Sequence, residues 1–197
     1  LRKEGLASAE YFLFPVGKGE NMRWLELKNA TGNFLVEFIK ADPQTLSDQT
    51  DAILNHISSV EYWTIQADAL PAATALIELS FDNLNSGGVT DLADLRQARL
   101  QAGLWKDAGN SATSGTAGSK GSVTGNAISD FANGAMEFFT LASLSIQNPL
   151  PIDNIYFNAE IYQGKLLTKW ETMSPEDHNI FHIQSSSDGR RFTDIIY

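Results

Sequence analysis

The feature that most constrains the fold is a series of short, aromatic-rich runs separated by turn residues. Three of them lie near the start: EYFLFPV (residues 10–16), MRWLELK (22–28) and FLVEFIK (34–40), with Gly, Asn and Lys between them. Runs of this length, with partial alternation of apolar and polar residues, are typical of β-strands. Neither face of MRWLELK is wholly polar, which indicates a strand covered on both sides.

The same signal continues along the chain and predicts strands at 59–67, 73–81, 95–101 and 135–144. The run at 95–101 fits a helical stripe about as well as a strand, but its position between two sheet signals favours a strand. Residues 108–127 are almost entirely Gly, Ser, Ala and Thr. We expect a long, mobile surface hairpin there, which could be shortened with little effect on stability.

The stretch QNPLP (147–151) is typical of a linker, because two prolines fix the backbone and block sheet pairing. It predicts a domain at 1–148 and a module at 149–197. Four more strands are predicted after it, at 155–162, 165–172, 180–186 and 191–197, and Asp188–Gly189 is a good two-residue hairpin signal between the last two.

The predicted fold class is all-β: an antiparallel β-sandwich followed by a partial sandwich of the fibronectin or immunoglobulin type. Four strands would leave one sheet with a bare edge and an uncovered apolar face. We expect the rest to be supplied downstream in the same polypeptide or by a neighbouring copy. A first residue of Leu with no signal peptide likewise suggests a segment of a larger protein.

The amino-acid composition excludes several classes of binding partner and of reactive site. The 197 residues carry a formal net charge of −10, so nucleic acids and anionic membrane surfaces would be repelled. Without cysteine, the chain has no disulfides, thiolate catalysis or cysteine-based metal sites. No apolar run approaches the roughly 20 residues of a membrane helix, so membrane insertion is not expected.

The second module resembles the fibronectin-type-III-like module found near the C-termini of large secreted proteins of the Bacteroidota. That module opens with Leu-Pro and continues with Phe-x-Ala, Trp-x-Thr-x-Ser-x-Glu, an Asn before a Phe-x-hydrophobic strand, and Ser-x-Asp-Gly-x-x-Phe. The matching residues are Leu150, Pro151, Phe157, Ala159, Trp170, Thr172, Ser174, Glu176, Asn179, Phe181, Ile183, Ser187, Asp188, Gly189 and Phe192. The preceding region is similar to the domain that often comes before this module, in FPVG (14–17), ISSVEYW (57–63), LWKDAGN (104–110) and FFTLAS (138–143).

The resemblance implies a secreted, extracellular protein of the bacterial cell surface, exported by type IX secretion. It also implies a non-enzymatic structural or adhesive role. If a neighbouring copy instead completes the partial sandwich, the protein would be a self-assembling fibre. The expected partners are other copies or other domains of the same surface protein. An alternative is a carbohydrate-binding module attached to a secreted hydrolase, with glycans as partners, and a hydrolytic domain with an unrecognised pair of carboxylates is a weaker one.

The exposure of three tryptophan side chains would distinguish a purely structural module from a glycan-binding one. Trp24, Trp63 and Trp105 lie in predicted strands, where packing in the core is the default. A carbohydrate-binding module would instead expose one or two of them to stack on sugar rings. Both interpretations remain open from the sequence.

The sequence nominates no catalytic residue, cofactor or metal. His178 and His182 have the spacing of two metal ligands on a helix, but they flank the start of a predicted strand, and His56 has no nucleophile motif near it. FDNLNSGG (81–88) could offer oxygen ligands to calcium, yet it lacks the Gly and Glu positions of an EF-hand. A plain turn rich in Asp and Asn is the simpler interpretation.

The resemblance generates one prediction about the second module. Trp170, Phe157, Phe181 and Ile183 should be buried together, so Trp170→Ala should lower the module's free energy of unfolding by about 3–5 kcal/mol. Chemical denaturation of the wild-type and variant chains measures the difference. A Trp170 open to solvent would contradict the prediction.

Overall fold

The protein divides into two compact units, Leu1–Ile152 and Asp153–Tyr197. The computed structural model describes residues 1–8, 10–19, 21–68, 75–83, 85–131, 134–148, 150, 156–162, 165–171, 184–186, 191 and 193–194. The sequence places the domain boundary after residue 148, four residues before the point where the two units divide.

The first unit is built almost wholly from short strands, as expected for an all-β protein. One turn of 3₁₀ helix, Pro43–Thr45, accompanies them. The strands are β1 (Arg2–Leu6), β2 (Tyr11–Lys18), β3 (Asn21–Lys28), β4 (Gly32–Ile39), β5 (His56–Ile57), β6 (Tyr62–Ala67), β7 (Leu76–Asp82), β8 (Leu95–Gln101), β9 (Leu104–Gly109), β10 (Ala112–Gly115), β11 (Lys120–Thr124) and β12 (Met136–Ser143).

These strands form two antiparallel sheets, so the predicted β-sandwich is confirmed. The seven-stranded sheet has the order β1-β4-β6-β12-β8-β9, with β5 also paired to β12. The five-stranded sheet has the order β10-β11-β7-β3-β2. The run at 95–101 is the strand β8, as its position between sheet signals predicts.

Alternation along the strands places the main core between the two sheets, because successive side chains of a strand point to opposite faces. On the five-stranded sheet Phe14, Leu25 and Leu79 point inward, and on the seven-stranded sheet Val36 and Ile65 do so; all five are fully buried. Each buried side chain of this size contributes roughly 1.5–3 kcal/mol by leaving water. Burial of these two inner faces drives the sheets together.

Part of the outer face of the seven-stranded sheet is covered by the chain between β4 and β6. Residues of this segment form backbone hydrogen bonds with Trp105, and Leu54 packs with Trp105 and Ala142 in a second, smaller cluster. The indole Nε1 of Trp105 donates to the carbonyl of Ser47 at 3.0 Å. This end of the outer face is therefore closed to ligands.

Two polar links connect the sheets through the core. Arg23 on β3 forms an ion pair with Glu61, directly before β6, with 2.9 Å between Nε and Oε2. The Nε2 of Gln97 on β8 donates to the carbonyls of Ile77 and Val123, on two strands of the other sheet. Because buried polar groups are costly without partners, these links favour one alignment of the sheets over others.

The structure of residues 108–127 corrects the prediction of a mobile surface hairpin, because the second half of this stretch is part of a sheet. Its first part is exposed from Ser111 to Lys120, and β10 and β11 do pair as a hairpin. However, β11 also pairs with β7, and Val123 is fully buried in the core. Gly and Ser are suited to this hairpin: Gly115 has φ +88°, and a Cβ there would lie 2.1 Å from the carbonyl oxygen of Lys120.

The second unit contains two antiparallel hairpins among its described residues. One pairs β13 (Tyr156–Tyr162) with β14 (Lys165–Glu171), and the other pairs β15 (Gln184–Ser185) with β16 (Thr193–Asp194). Trp170 pairs with Phe157 in the register of the first hairpin. The burial of these two side chains, and the predicted positions of Phe181, Ile183 and the Asp188–Gly189 turn, lie outside what is described.

Val123→Ala tests whether the small-residue hairpin belongs to the core. The change removes two buried methyl groups, so we expect the free energy of unfolding to fall by about 2–3 kcal/mol. Thr113→Ala on the exposed partner strand should change it by less than about 0.5 kcal/mol. Equal, small effects of both substitutions in urea denaturation would contradict the assignment of β11 to the core.

Candidate functional site

The outer face of the five-stranded sheet is the candidate functional site. Since Arg23, Leu25 and Leu27 on β3 point into the core, Met22 and Trp24 point outward by the period of two. On the neighbouring strand β2, Tyr11, Leu13 and Pro15 point outward in the same way. The register pairs Pro15 with Trp24, so the two strands present one continuous surface.

This surface is unusually apolar for a solvent-facing sheet. The exposed fraction is 65% for Tyr11, 40% for Leu13 and 63% for Met22, and Pro15 is exposed as well. Trp24 lies among them with its side chain half-buried. We call Tyr11, Leu13, Pro15, Met22 and Trp24 the apolar patch. Contiguous exposed apolar side chains of this kind mark interaction sites more often than scattered ones do.

A groove of about 310 Å³ lies beside the apolar patch. Met22 and Trp24 line it from β3, Ser80 and Asp82 line it from β7, and Lys120 lines it from β11. Ser80 is small and buried between larger neighbours, so it forms the floor. Its Oγ accepts a hydrogen bond from the backbone N–H of Trp24 at 2.8 Å, which ties β3 to β7 at the centre of the groove.

A row of hydroxyl groups continues from this floor towards the other edge of the sheet. Ser80 pairs with Ser122, and Ser122 pairs with Ser114, in the registers of β7, β11 and β10. The Oγ atoms of Ser114 and Ser122 are 2.6 Å apart, and the Ser122 hydroxyl donates to Glu78. The face is therefore apolar on β2 and at Met22 and Trp24 of β3, whereas in the row of hydroxyls Ser80 and Ser122 are buried and Ser114 is exposed.

A compact ionic cluster lies at the middle of the same face. Lys28 forms ion pairs with Glu78 and with Glu26, the second at 3.1 Å, and its ammonium group lies 5.8 Å from the centre of the Tyr11 ring. Burial alone would raise the pKa of Glu78, but hydrogen bonds from Lys28 and Ser122 hold it below its ordinary value. For Lys28 the signs are reversed. Burial alone would lower its pKa, but hydrogen bonds and attraction to Glu78 and Glu26 raise the pKa above its ordinary value.

Asp82 at the rim of the groove is also held in its charged form. Although burial works in the opposite direction, hydrogen bonding and attraction to Lys120, 3.3 Å away, lower the pKa of Asp82. The loop after it is a compact turn: the N–H groups of Asn85 and Ser86 donate to the Asp82 carbonyl. Ser86 is buried and accepts from the backbone of Asp82. A turn rich in Asp and Asn is what the sequence predicts here.

The structure corrects two of the three tryptophan candidates for glycan stacking. Trp63 and Trp105 are fully buried, Trp63 in the main core beside Phe38 and Trp105 beneath the segment that follows β4. Both indole rings are enclosed by the rest of the fold, so neither can contact a ligand. Trp24 is the candidate that remains.

The histidines do not assemble a reactive site among the described residues. The ring of His56 contacts the Oδ1 of Asn55 and the carbonyl of Asn148, which holds the chain after β12 against β5 within the first unit. His178 and His182 lie outside the described residues. Within the part of the chain that the structure describes, no three His, Asp or Glu side chains are grouped so that they could hold a metal ion.

The sequence did not single out the other members of the apolar patch or the groove. A usable signal was present in YFLFPVGK (11–18), where both alternating sets of side chains are largely apolar. Since only one face of an outer strand can contact the core, one set had to remain exposed. The contributions of Ser80, Asp82 and Lys120 carry no such signal, because they depend on strand pairing.

The chain matches no known family model, no curated protein and no solved structure. The resemblance to secreted surface proteins of the Bacteroidota therefore remains a hypothesis. Among the described residues, no helix has the length and apolarity required to cross a membrane.

The ionic cluster generates a prediction about pH. Because the pKa of Glu78 is lower in the folded than in the unfolded state, its ionised form stabilises the fold above its ordinary value of 4.5, and that contribution is lost as the pH falls through the lowered folded value. Glu78→Gln should therefore flatten the loss of stability in acid.

The comparison between wild type and Glu78→Gln isolates this contribution from that of Glu61. Burial raises the pKa of Glu61 despite its pairing with Arg23, so its protonation acts in the opposite direction as the pH falls. Urea denaturation from pH 7 to pH 3 provides the free energies of unfolding. Parallel curves for the two proteins would show that Glu78 is not stabilised by its ion pair.

Proposed function

We propose that this chain is a non-enzymatic, adhesive segment of a secreted bacterial cell-surface protein, and that it makes contact through the apolar patch. The observation that carries the proposal is the exposure of Tyr11, Leu13 and Met22 on one continuous sheet face. Leaving apolar area in water costs about 25 cal/mol per Å² relative to burying it. A binding partner that covers the patch recovers this free energy.

A comparison of the two outer faces supports a binding role for this one. The segment after β4 covers Trp105 and its neighbours on the seven-stranded sheet, which gives that face a second core. On the other sheet Tyr11, Leu13 and Met22 are exposed in the part of the chain that the structure describes, and the exposed apolar side chains on the outer face of the seven-stranded sheet are Leu35 and Met136, away from the covered end. An apolar residue that served only to fill the fold would be expected to pack against the chain itself.

Secretion and the cell surface enter the proposal through the resemblance in the second module, from Leu150 and Pro151 to Phe192. The acidic composition, with 24 Asp and Glu against 14 Lys and Arg, disfavours nucleic acids and anionic membranes as partners. The partners proposed are other copies or domains of the same protein, or a surface to which the cell adheres.

A double variant tests the adhesive role. Tyr11→Ser with Met22→Ser replaces two exposed apolar side chains and should leave the fold intact, since neither is buried. We expect the full chain to self-associate in sedimentation velocity, or to be retained on cell walls, matrix proteins or insoluble polysaccharides. The double variant should lose most of this binding.

Ile53→Ser is the matched control, because Ile53 is similarly exposed but lies in the segment after β4. Thermal unfolding confirms that each variant is folded. Two results would overturn the proposal: a folded wild-type chain that stays monomeric and is retained on none of these surfaces, or a double variant that binds as well as wild type.

A further inference from the structure

The groove beside Trp24 combines three kinds of contact in a small space. An indole ring and the Met22 side chain line one wall, a serine hydroxyl forms the floor, and a carboxylate and an ammonium group stand on the opposite side. Such a combination suits a ligand that has an apolar face and a rim of hydroxyl groups. A pyranose ring has both.

We infer that this groove binds an uncharged polysaccharide, with a sugar ring stacked against Trp24. The inference rests on the proposed function, because it identifies the ligand class for the same face. Sugar C–H groups are polarised towards the negative face of an aromatic ring, and an indole offers the largest such face. The hydroxyls of the stacked sugar then lie within reach of Asp82 and Lys120.

The charges of the face favour a neutral ligand over a charged one. Glu26, Glu78 and Asp82 are balanced by Lys28 and Lys120, which leaves the face one charge from neutrality in a chain of net charge −10. A polyanion would be repelled by the acidic chain, and a polycation would find each of these carboxylates already paired. A carboxylate offers about four lone-pair sites, so one that is held in an ion pair can accept hydrogen bonds from hydroxyl groups as well.

The face is also long enough for more than one sugar unit. Pro15 lies beside Trp24 on the outer strand, and in the other direction the exposed Ser114 lies at the far edge of the sheet, beyond the buried Ser80 and Ser122. Neighbouring strands are about 4.8 Å apart, so a chain laid across the sheet from Pro15 to Ser114 spans more than one sugar ring. The groove is open at the surface, which suits an internal stretch of polymer as well as a chain end.

The test uses the full chain and defined polysaccharides. Isothermal titration and affinity electrophoresis with xyloglucan, galactomannan, mixed-linkage β-glucan and starch should reveal binding to at least one, unchanged between low and high salt. Alginate and chitosan serve as the anionic and cationic comparisons and should bind more weakly.

Variants then locate the site. Trp24→Ala should weaken the binding about tenfold or more, equivalent to about 1.4 kcal/mol. Trp24→Phe, which keeps a smaller ring, should retain part of the affinity, and Asp82→Asn should weaken it while the chain stays folded. Ile53→Ser is again the control and should bind as wild type does.

The outcomes separate this inference from the adhesive role on which it rests. If the folded chain binds none of the neutral polysaccharides, or binds only charged ones, the inference is wrong. It is also wrong if both Trp24→Ala and Asp82→Asn bind as wild type does. Self-association that the Tyr11 and Met22 substitutions abolish, without any glycan binding, would retain the adhesive role and assign the face to a second copy of the chain.

Discussion

The buried ion pair between Arg23 and Glu61 is the interaction on which the arrangement of the sandwich depends. It joins the two sheets through the core, where the side chains are 2% and 1% exposed. Arg23 also donates to the hydroxyl of Ser86. Removal of one partner from such a pair costs about 3–5 kcal/mol, because the other charge stays buried without compensation. A sliding of one sheet over the other would have the same consequence.

The position of Arg23 also determines what the outer face presents. With Arg23 held inside, the period of two places Met22 and Trp24 outside, and a slip of one residue would reverse every side chain of the strand. From the opposite sheet, Gln97 fixes the positions of β7 and β11, because its side chain donates to the carbonyls of Ile77 and Val123. The polar links of the core thus align the rows of the candidate binding face.

The outer face of the five-stranded sheet has to meet two opposing requirements. Binding requires that apolar side chains stay exposed, whereas solubility and a unique register favour polar ones. The ionic cluster of Lys28, Glu26 and Glu78 lies next to Trp24 and Ser80 on β3 and β7 and brings charge to the face. On the outer strand β2, Pro15 and Lys18 discourage pairing with a foreign strand. The face can therefore offer a ligand an apolar surface without inviting sheet extension.

The sequence alone determined the all-β class and the positions of most strands, because alternation and turn residues act over a few neighbouring positions. It did not determine the fate of residues 108–127, where Gly and Ser indicated a loose hairpin. Pairing of β11 with β7 made Val123 part of the core. Nor could it separate Trp24 from Trp63 and Trp105, since all three lie in strands of similar composition. Only the packing of two sheets decided which indole faces solvent, because burial depends on contacts between residues far apart in the chain.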